Sequence, residues 1–447
     1  MNDLSRIFNP KSLAVIGAKP EKGSVGWGLM KNALEGKERR KVFAVNPFRN
    51  NVLGEKTFSS VLDVPGRVDL AIVAVPAKSV LKIVSECCRK QTGGIVVISS
   101  GFAEIGEKKL QNDISDLAGK NNIPLIGPNC LGIIRPGSGL NASFAPVSPK
   151  DGEIAVISQS GALLDSIIDR SLSENYGFSG LVSYGNGAGL GMNDFLDWFG
   201  RDQKTKAIVL YLEGIEKGRE FLRISKKISM EKPVLVLKAG KTTAGKTAVS
   251  THTGSLAGSY DIYKAAFKQA GLIECETLEE VFDSAKALAW QPRIKNGIAI
   301  VTNGGGYGAL AADYCTDSGI MISKFNDETK ERIKALMAMH PFFSLANPLD
   351  ILGDAPAERY RAAVACLLDQ DDINGLIVMQ TPQIMTETEK SAKMIAKAAK
   401  KHPRKAIVCV LSGGKLSLPG MKILEMNHIP AYSDPKRAVT AIRNLIK

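Results

Sequence analysis

A chain of 447 residues is too long to fold around one hydrophobic core, and 44% hydrophobic with 23% charged residues is ordinary for a globular protein. No apolar run is long enough to cross a bilayer and the first residues lack the pattern of a signal peptide, so the sequence predicts a cytoplasmic protein without membrane contacts. The net charge of +13 is spread along the chain with only 6% aromatic residues, which disfavours a nucleic-acid partner and favours a polyanionic cofactor or an acidic partner subunit.

The seven cysteines and four histidines are dispersed along the chain. This spacing predicts neither a zinc site nor a disulfide scaffold, so no metal ligands are expected and the thiols are expected to be reduced and mostly buried. Cys130 has two interpretations, a nucleophile or a small apolar side chain in the core, and the second is the more common for an isolated cysteine.

Short β-branched runs alternate with longer helical stretches, which predicts an α/β fold with parallel strands buried on both faces. They form three sets, so we predict domains at residues 1–138, 139–291 and 292–447, with Pro136 to Gly139 as the first boundary. Each set predicts an open sheet that binds ligands beyond the carboxyl ends of its strands. The predicted strands are 13–16, 42–45, 70–75, 95–98 and 124–126, then 154–157, 180–183, 207–212 and 234–237, and finally 297–301, 375–379, 406–411 and 429–431.

A glycine-rich turn, Gly17 to Gly28, follows the first predicted strand and precedes a helix. Backbone N–H groups and the helix dipole at such a turn can cradle a phosphate group. The spacing departs from the dinucleotide fingerprint, and the second strand ends in Asn46-Pro47 where an NAD site needs an acidic residue. An NAD-dependent dehydrogenase is therefore disfavoured, and another phosphate-bearing nucleotide is preferred.

Three further strand ends of the first domain carry small or polar residues: Val75-Pro76, Ser99-Ser100-Gly101 and Asn129-Cys130. All three are expected at one sheet edge, where they could contact a ligand. Routine turn chemistry is the competing explanation, because glycine, proline, serine and asparagine dominate turns in general.

Two more glycine-containing turns open helices in the later domains, at Ser158 to Leu163 and at Thr302 to Gly308. The unpaired N–H groups at each helix start carry partial positive charge and suit a phosphate group. Facing each other across a domain interface, the two helix ends could hold one phosphoryl group.

His252 lies within Ser250 to Gly258, a segment of small and hydroxylated residues that predicts a mobile loop. A neutral imidazole nitrogen on such a loop can act as a nucleophile toward phosphorus. Glu213 ends the buried strand 207–212, where its carboxylate could accept the other imidazole N–H and fix the tautomer. The alternatives are a solvated histidine without a role and a solvated or capping glutamate.

Taken in chain order, these motifs resemble the α subunit of nucleoside-diphosphate-forming acyl-CoA synthetases, relatives of succinyl-CoA synthetase. The resemblance implies a Rossmann-like CoA-binding domain followed by two flavodoxin-like parallel-sheet domains. It implies phosphorylation of His252 with Glu213 as its partner. The implied phosphate-binding residues are Ser160, Gly161, Ala162, Gly304, Gly305 and Gly306. The implied coenzyme A contacts are Gly17, Ala18, Lys19, Gly23, Ser24, Val25, Gly26, Asn46, Pro47, Val75, Pro76, Ser99, Ser100, Gly101, Asn129 and Cys130.

The implied reaction is acyl-CoA + ADP + phosphate ⇌ carboxylic acid + CoA + ATP, through an acyl phosphate and a phosphohistidine. The resemblance also implies a separate ATP-grasp β subunit that holds ADP or ATP with Mg²⁺, in an α2β2 complex, because no nucleotide-grasp domain is visible in the sequence. Gly187 to Gly191 and Tyr307 depart from the family pattern, and the former leaves the preferred acid open. A CoA-binding regulatory protein and a nucleotide-independent acyl or carbamoyl transferase remain alternatives.

Overall fold

Three β-sheets organise the chain. The computed structural model describes residues 4–253, 258–337 and 345–447, and only the backbone of residues 251–253. The chain divides into two compact units, Met1–Glu276 and Thr277–Lys447, of which the first contains two sheets and the second contains one. Within the described ranges, no helix combines the length and the apolar character that crossing a membrane requires.

The first sheet has seven strands in the order β3-β4-β2-β1-β5-β6-β7. All neighbours are parallel except the antiparallel pair β3–β4. Without the edge strand β3, this is the 3-2-1-4-5-6 order of the Rossmann fold. The strands are β1 Ser12–Ile16, β2 Lys41–Val45, β3 Asn51–Val52, β4 Glu55–Phe58, β5 Leu70–Val73, β6 Ile95–Val97 and β7 Leu125–Ile126, and the helices are α1 Ser5–Phe8, α2 Val25–Leu34, α3 Ala77–Lys90 and α4 Lys108–Lys120.

Strand β1 shows why the apolar runs form central strands. Its five residues are all buried. Because side chains alternate between the faces of a strand, Leu13 and Val15 join a core cluster with residues of α2, whereas Ala14 and Ile16 join a second cluster with residues of α3. A run that is apolar at every position is therefore needed, since helices cover both faces of the sheet.

The second sheet has the order β14-β13-β12-β10-β11-β8-β9. Its five parallel strands follow the 2-1-3-4-5 order of flavodoxin-like folds, and the hairpin β8–β9 extends the sheet beside β11 in antiparallel orientation. The strands are β8 Gly132–Arg135, β9 Leu140–Ser143, β10 Asp151–Ser158, β11 Phe178–Ser183, β12 Ala207–Leu212, β13 Val234–Lys238 and β14 Ile273–Cys275, and the helices are α5 Gly161–Ser173, α6 Met192–Arg201, α7 Gly218–Ser229, α8 Thr243–Thr253 and α9 Tyr260–Ala270.

The first unit has a core that continues through both of its sheets. One cluster contains Val15 of the first sheet together with Ile157 of the second. Phe8 of α1 stacks on Trp198 of α6 with ring centroids 3.8 Å apart. The turn Pro136 to Gly139, proposed from the sequence as a boundary, joins β8 to β9, so the second sheet begins at Gly132.

The second unit contains a parallel sheet in the order β16-β15-β17-β18-β19, again the flavodoxin-like 2-1-3-4-5 arrangement. Its strands are β15 Ile298–Thr302, β16 Leu349–Asp350, β17 Gly375–Gln380, β18 Ala406–Leu411 and β19 Ala431–Tyr432, and its helices are α10 Leu278–Trp290, α11 Gly305–Asp317, α12 Asp327–Met337, α13 Ala357–Asp369, α14 Thr388–Ala399, α15 Leu418–Met426 and α16 Pro435–Leu445.

Helix α10 is held in the second unit by buried polar contacts. Lys286 donates to Glu425 of α15 over 2.9 Å, and the two side chains are only 2% and 5% exposed. Arg437 of α16 forms two hydrogen bonds of 2.7 Å to Asp283, one to each carboxylate oxygen. The boundary proposed at residues 291–292 therefore lies at the carboxyl end of a helix that packs against residues beyond it.

Candidate functional site

A cavity of about 570 Å³ lies within the first unit, where strand ends of both its sheets meet. The residues predicted from the sequence that line it are Val25, Val75, Pro76, Ser99, Ser100, Asn129, Cys130, Ser160, Gly161 and Ala162. The predicted coenzyme A contacts that lie outside its lining are Gly17, Ala18, Lys19, Gly23, Ser24, Gly26, Asn46, Pro47 and Gly101, and Glu213 also lies outside it. The cavity thus brings the predicted nucleotide-binding strand ends together with one predicted phosphate-binding helix start.

The glycine turn after β1 is packed too tightly for any side chain at two positions. A Cβ on Gly17 would lie 2.2 Å from the carbonyl oxygen of Ala74, and Gly17 has a φ of +93°. A Cβ on Gly26 would lie 2.2 Å from the carbonyl oxygen of Gly17. The Ser24 side chain caps α2 by accepting the N–H of Trp27. These contacts hold the start of α2 against the ends of β1 and β5.

Asn46 supports this turn from within the protein. Its side chain is buried, donates to the carbonyl oxygen of Ala18 over 2.8 Å and accepts the N–H of Phe48 over 2.8 Å. In this geometry its amide fixes the β1 turn and the end of β2. The expected contact between Asn46 and a bound nucleotide stays a prediction.

Cys130 lines the cavity with a buried thiol. It is 5% exposed, and its Sγ lies 3.3 Å from the carbonyl oxygen of Val97, to which it donates. Burial raises the pKa of this thiol to about 12. A thiol that stays protonated is a poor nucleophile, because the thiolate is the reactive form. The environment of Cys130 therefore favours its interpretation as a small apolar side chain.

Asn186, in the turn after β11, joins the two sheets beside the cavity. Its Nδ2 donates to Glu104 over 2.6 Å and to Gln111 over 2.9 Å, and its Oδ1 accepts from Asn129 over 3.2 Å. Burial of Glu104 opposes ionisation, but hydrogen bonds from Asn186 and from the backbone N–H of Gly101 outweigh it and lower the pKa of the carboxyl. Sequence reasoning missed this network, because it depends on the approach of two sheets.

The start of α5 forms a wall of the same cavity. The hydroxyl of Ser158 donates to the carbonyl oxygen of Ser160 over 2.7 Å and accepts its N–H over 3.0 Å. Ser160 caps the helix by accepting the N–H of Leu163. With this turn braced, Gly161 and Ala162 at the positive end of the helix border the cavity, where an anion is stabilised.

Gln159 connects that turn to Glu213. Its Oε1 accepts the N–H of Glu213 over 2.5 Å and the N–H of Gly214 over 3.0 Å. Glu213 is only 4% exposed, and Tyr211 donates a hydrogen bond to its side chain. Burial, together with the charge of Glu213 and this hydrogen bond, raises the pKa of Tyr211 to about 12. The Glu213 side chain is thus buried at the end of β12, and its predicted contact with His252 stays a prediction.

Lys238, which the sequence reasoning missed, lies behind Glu213 at the end of β13. Its Nζ donates to the carbonyl oxygen of Glu213 over 2.8 Å and to that of Ala239, and lies 4.6 Å from the ring centroid of Tyr263 on α9. Burial lowers the pKa of Lys238 to about 8, although the charge of Glu213 opposes this. The ammonium group ties the ends of β12 and β13 to α9.

A second, smaller cavity of about 150 Å³ shares Gln159 and Asn186 with the first. Gly187, Gly189 and Gly191 line it, so the turn that departs from the family pattern forms a wall of a space beside the main cavity. A Cβ on Gly189 would lie 2.5 Å from the carbonyl oxygen of Leu125, whereas one on Gly191 would meet no atom within 4 Å.

The segment that carries His252 begins as a helix. The sequence predicted a mobile loop at Ser250 to Gly258, and this is wrong for the backbone of residues 250–253, which belong to α8, Thr243–Thr253. Ala244, Lys246 and Ala248 favour a helix, and the hydroxyl of Thr242 accepts the N–H of Gly245 at its start. Helix α8 contacts the turn Ala103–Ile105 that follows β6. The side chain of His252 and residues 254–257 lie outside the described residues.

The second unit repeats the construction seen at α5. Thr302 bridges the N–H and the carbonyl group of Gly304, which caps α11, as Ser158 does for Ser160. Asn303 bonds the backbone of Thr381 after β17, as Gln159 bonds the backbone after β12. Predicted phosphate-binding residues Gly304, Gly305 and Gly306 therefore begin a braced helix.

One carboxylate stands beside this second helix start. Asp350 Oδ2 lies 3.0 Å from the position that a Cβ on Gly305 would take. Tyr307, the other departure from the family pattern, lies in the first turn of α11.

Comparisons with known proteins cover nearly the whole chain. Family models match at residues 11–136 (CoA binding domain), 151–288 (succinyl-CoA ligase like flavodoxin domain) and 298–441 (Ligase-CoA domain). The α subunit of an ADP-forming acetate–CoA ligase from Pyrococcus furiosus is 38% identical, over 99% of this chain and 97% of that subunit. The chain belongs to the family of ADP-forming acyl-CoA ligases. These matches confirm the resemblance drawn from the sequence. They also confirm the predicted order of a Rossmann-like fold followed by flavodoxin-like folds.

Two further members of this family extend the comparison. An ADP-forming acetate–CoA ligase of Archaeoglobus fulgidus is 42% identical over 98% of the chain, which spans 63% of that relative's length. A solved acetyl-coenzyme A synthetase of Candidatus Korarchaeum cryptofilum, in complex with phosphate and ADP, superposes with a TM-score of 0.94 at 37% identity. That match covers 100% of this chain and 96% of the other.

Proposed function

We propose that this chain is the α subunit of an ADP-forming acyl-CoA ligase that interconverts acyl-CoA, ADP and phosphate with a carboxylic acid, CoA and ATP. Phosphate attacks the thioester carbonyl carbon, the C–S bond breaks, and an acyl phosphate and the CoA thiol result. An imidazole nitrogen of His252 then takes the phosphoryl group and releases the carboxylate. The phosphohistidine finally transfers the phosphoryl group to ADP.

The observation that carries this proposal is the cavity shared by the two sheets of the first unit. Coenzyme A fits the side formed by the start of α2 and the strand ends at Ser99, Ser100 and Asn129, because hydroxyl and amide groups line it. Phosphate fits the start of α5, where Ser160 and Gly161 border the same space. Thioester and phosphate would thus meet in one cavity.

Glu213 suits the role of partner to His252. Gln159 and Lys238 hold the backbone of Glu213 at the end of β12, and its buried side chain accepts a hydrogen bond from Tyr211. A fixed carboxylate stabilises the positive charge that an imidazole acquires on phosphorylation. The contact of α8 with the turn Ala103–Ile105 supports a location for the His252 segment beside the rim of the first sheet.

The nucleotide half of the reaction is assigned to an ATP-grasp β subunit that binds ADP or ATP with Mg²⁺, in an α2β2 complex in the cytoplasm. The α-subunit relative of nearly equal length supports such a partner. The described residues contain no group of three or more His, Cys, Asp or Glu side chains placed to hold a metal ion. The acid is a small one, since named relatives act on acetate and 4-hydroxybutyrate.

Mass spectrometry of the full chain after incubation with acyl-CoA and phosphate tests this function. The expected product carries one acid-labile, base-stable phosphoryl group on His252. His252→Ala should abolish the adduct and leave CoA binding intact, whereas His402→Ala, in the second unit, should leave both unchanged. A wild-type chain that binds CoA but never acquires the phosphoryl group, even with a β subunit and ATP, would favour a regulatory CoA-binding protein instead. Thioester turnover without phosphorylation of the chain would favour a nucleotide-independent transferase.

A further inference from the structure

Asp165 on α5 is the one charged side chain among the described residues that line the 570 Å³ cavity. Its Oδ1 is shielded from solvent and has no hydrogen-bond partner within the described part of the chain. Burial raises the pKa of this carboxyl. A carboxylate that is poorly solvated holds a proton more readily than an exposed one. Asp165 is therefore a stronger proton acceptor than an ordinary surface aspartate.

Its place on the helix sets it beside the predicted phosphate position. Asp165 follows Gly161 by four residues, so the two positions share a face of α5, about 6 Å apart along its axis. Both residues border the same cavity. A thiol that attacks an acyl phosphate whose phosphoryl group lies at the start of α5 would approach from this region.

The reaction needs a proton acceptor at that point. A thiol becomes a strong nucleophile only as the thiolate, and an alkyl thiol with a pKa near that of cysteine, about 8.5, is mostly protonated at neutral pH. Cys130 is the other titratable residue of the cavity lining, and burial keeps it protonated. The remaining polar lining residues are serines, asparagines and a glutamine, which do not act as bases in this pH range.

We propose that Asp165 accepts the proton of the CoA thiol during acyl transfer, an inference that rests on the proposed function. In the direction of thioester synthesis, the S–H proton passes to the Asp165 carboxylate while sulfur attacks the acyl carbon. The acyl C–O bond to phosphate then breaks, and the departing phosphate oxygen takes the proton from the Asp165 carboxylic acid, giving the thioester and hydrogen phosphate. In reverse, hydrogen phosphate gives its proton to the Asp165 carboxylate as it attacks the thioester, and the departing sulfur recovers that proton.

The test follows thioester formation from acetyl phosphate and CoA, without nucleotide, by the full chain together with its β subunit. Asp165→Asn keeps the shape of the side chain but removes the base. Asp169→Asn is the matched control, an exposed carboxylate one turn further along α5. We expect Asp165→Asn to lower the rate at least 100-fold, as loss of a general base does, with the CoA dissociation constant within threefold of wild type. The pH dependence of the wild-type rate should lose its acidic limb in Asp165→Asn.

The outcomes separate this inference from the proposed function. If Asp165→Asn and Asp169→Asn transfer acetyl groups equally well at every pH, Asp165 is not the base and the function stands. If His252→Ala abolishes thioester formation while Asp165→Asn does not, the imidazole is the acceptor and the inference is wrong. A wild-type protein that binds CoA but forms no thioester from acetyl phosphate overturns the proposed acyl transfer itself.

Discussion

Gly26 and Gly28 lie two residues apart on α2, and alanine substitutions at these positions should have opposite effects. A Cβ on Gly26 would lie 2.2 Å from the carbonyl oxygen of Gly17, whereas one on Gly28 would lie 3.4 Å from the Cβ of Phe144, an ordinary contact. The first substitution requires α2 or the β1 turn to move by roughly 1 Å, because contacts to a backbone atom cannot be relieved by a rotamer change.

The expected cost of Gly26→Ala is about 2–3 kcal/mol of unfolding free energy, the upper range for overpacking. For a unit of this size, that lowers the melting temperature by roughly 4–10 °C. Gly28→Ala should be neutral or stabilising by up to about 1 kcal/mol, because alanine favours a helix over glycine. The displaced helix start should also weaken CoA binding at least tenfold in Gly26→Ala alone.

Differential scanning calorimetry and isothermal titration with CoA measure the two effects on the full chain. The comparison within one helix controls for helix propensity, since both changes are glycine to alanine. If Gly26→Ala melts at the same temperature as Gly28→Ala and binds CoA as tightly as wild type, the close packing of the β1 turn against α2 does not determine the affinity for CoA.

Three further predictions concern charged groups. Lys286→Met should destabilise the second unit by about 3–5 kcal/mol in calorimetry, because it removes the buried ammonium group that pairs with Glu425, whereas the exposed Lys330→Met should cost less than about 1 kcal/mol. The folded-state pKa of Glu104 is lowered, so its ionised form stabilises the protein above the unfolded pKa of about 4.3. Urea titrations should show wild type losing stability relative to Glu104→Gln as the pH falls through the folded pKa. Stabilities of the two proteins that change in parallel with pH would contradict this. Lys238 has a pKa of about 8 in the folded protein, against about 10.4 when unfolded, so the folded state binds fewer protons between these values. The stability of wild type relative to Lys238→Met should therefore rise between pH 8 and 10. A stability difference that does not change with pH would refute the lowered pKa.

The sequence revealed the central strands because burial on both faces demands uninterrupted apolar residues, as in β1 and β12. It missed β3, β4, β8, β9, β14 and β16, because strands of two to four residues are too short to give a long apolar run. It also misjudged α8, where threonine, serine and glycine have weak helix propensity and suggested a loop, although the backbone is helical.

The site was predictable wherever local chemistry shows in the chain. Gly17 and Ser160 stand at strand-to-helix turns whose composition indicates an anion cradle. Asn186 and Lys238 gave no such indication, because their importance comes from partners 57 and 25 residues away. Asp165 lies between these cases: its spacing of four residues from Gly161 places it on the cavity face, but only the structure shows that its oxygen is buried.

The brace at the start of α5 consists of hydroxyl and amide groups, Ser158, Ser160 and Gln159, together with main-chain atoms. None of these groups gains or loses a proton within the range of acidity that a living cell experiences. Its attraction for an anion is therefore constant, and any response of the reaction to acidity must come from the substrates or from the few ionisable neighbours. Substitutions at those neighbours alone could therefore change the pH dependence of the reaction, while the anion-binding start of α5 stays the same.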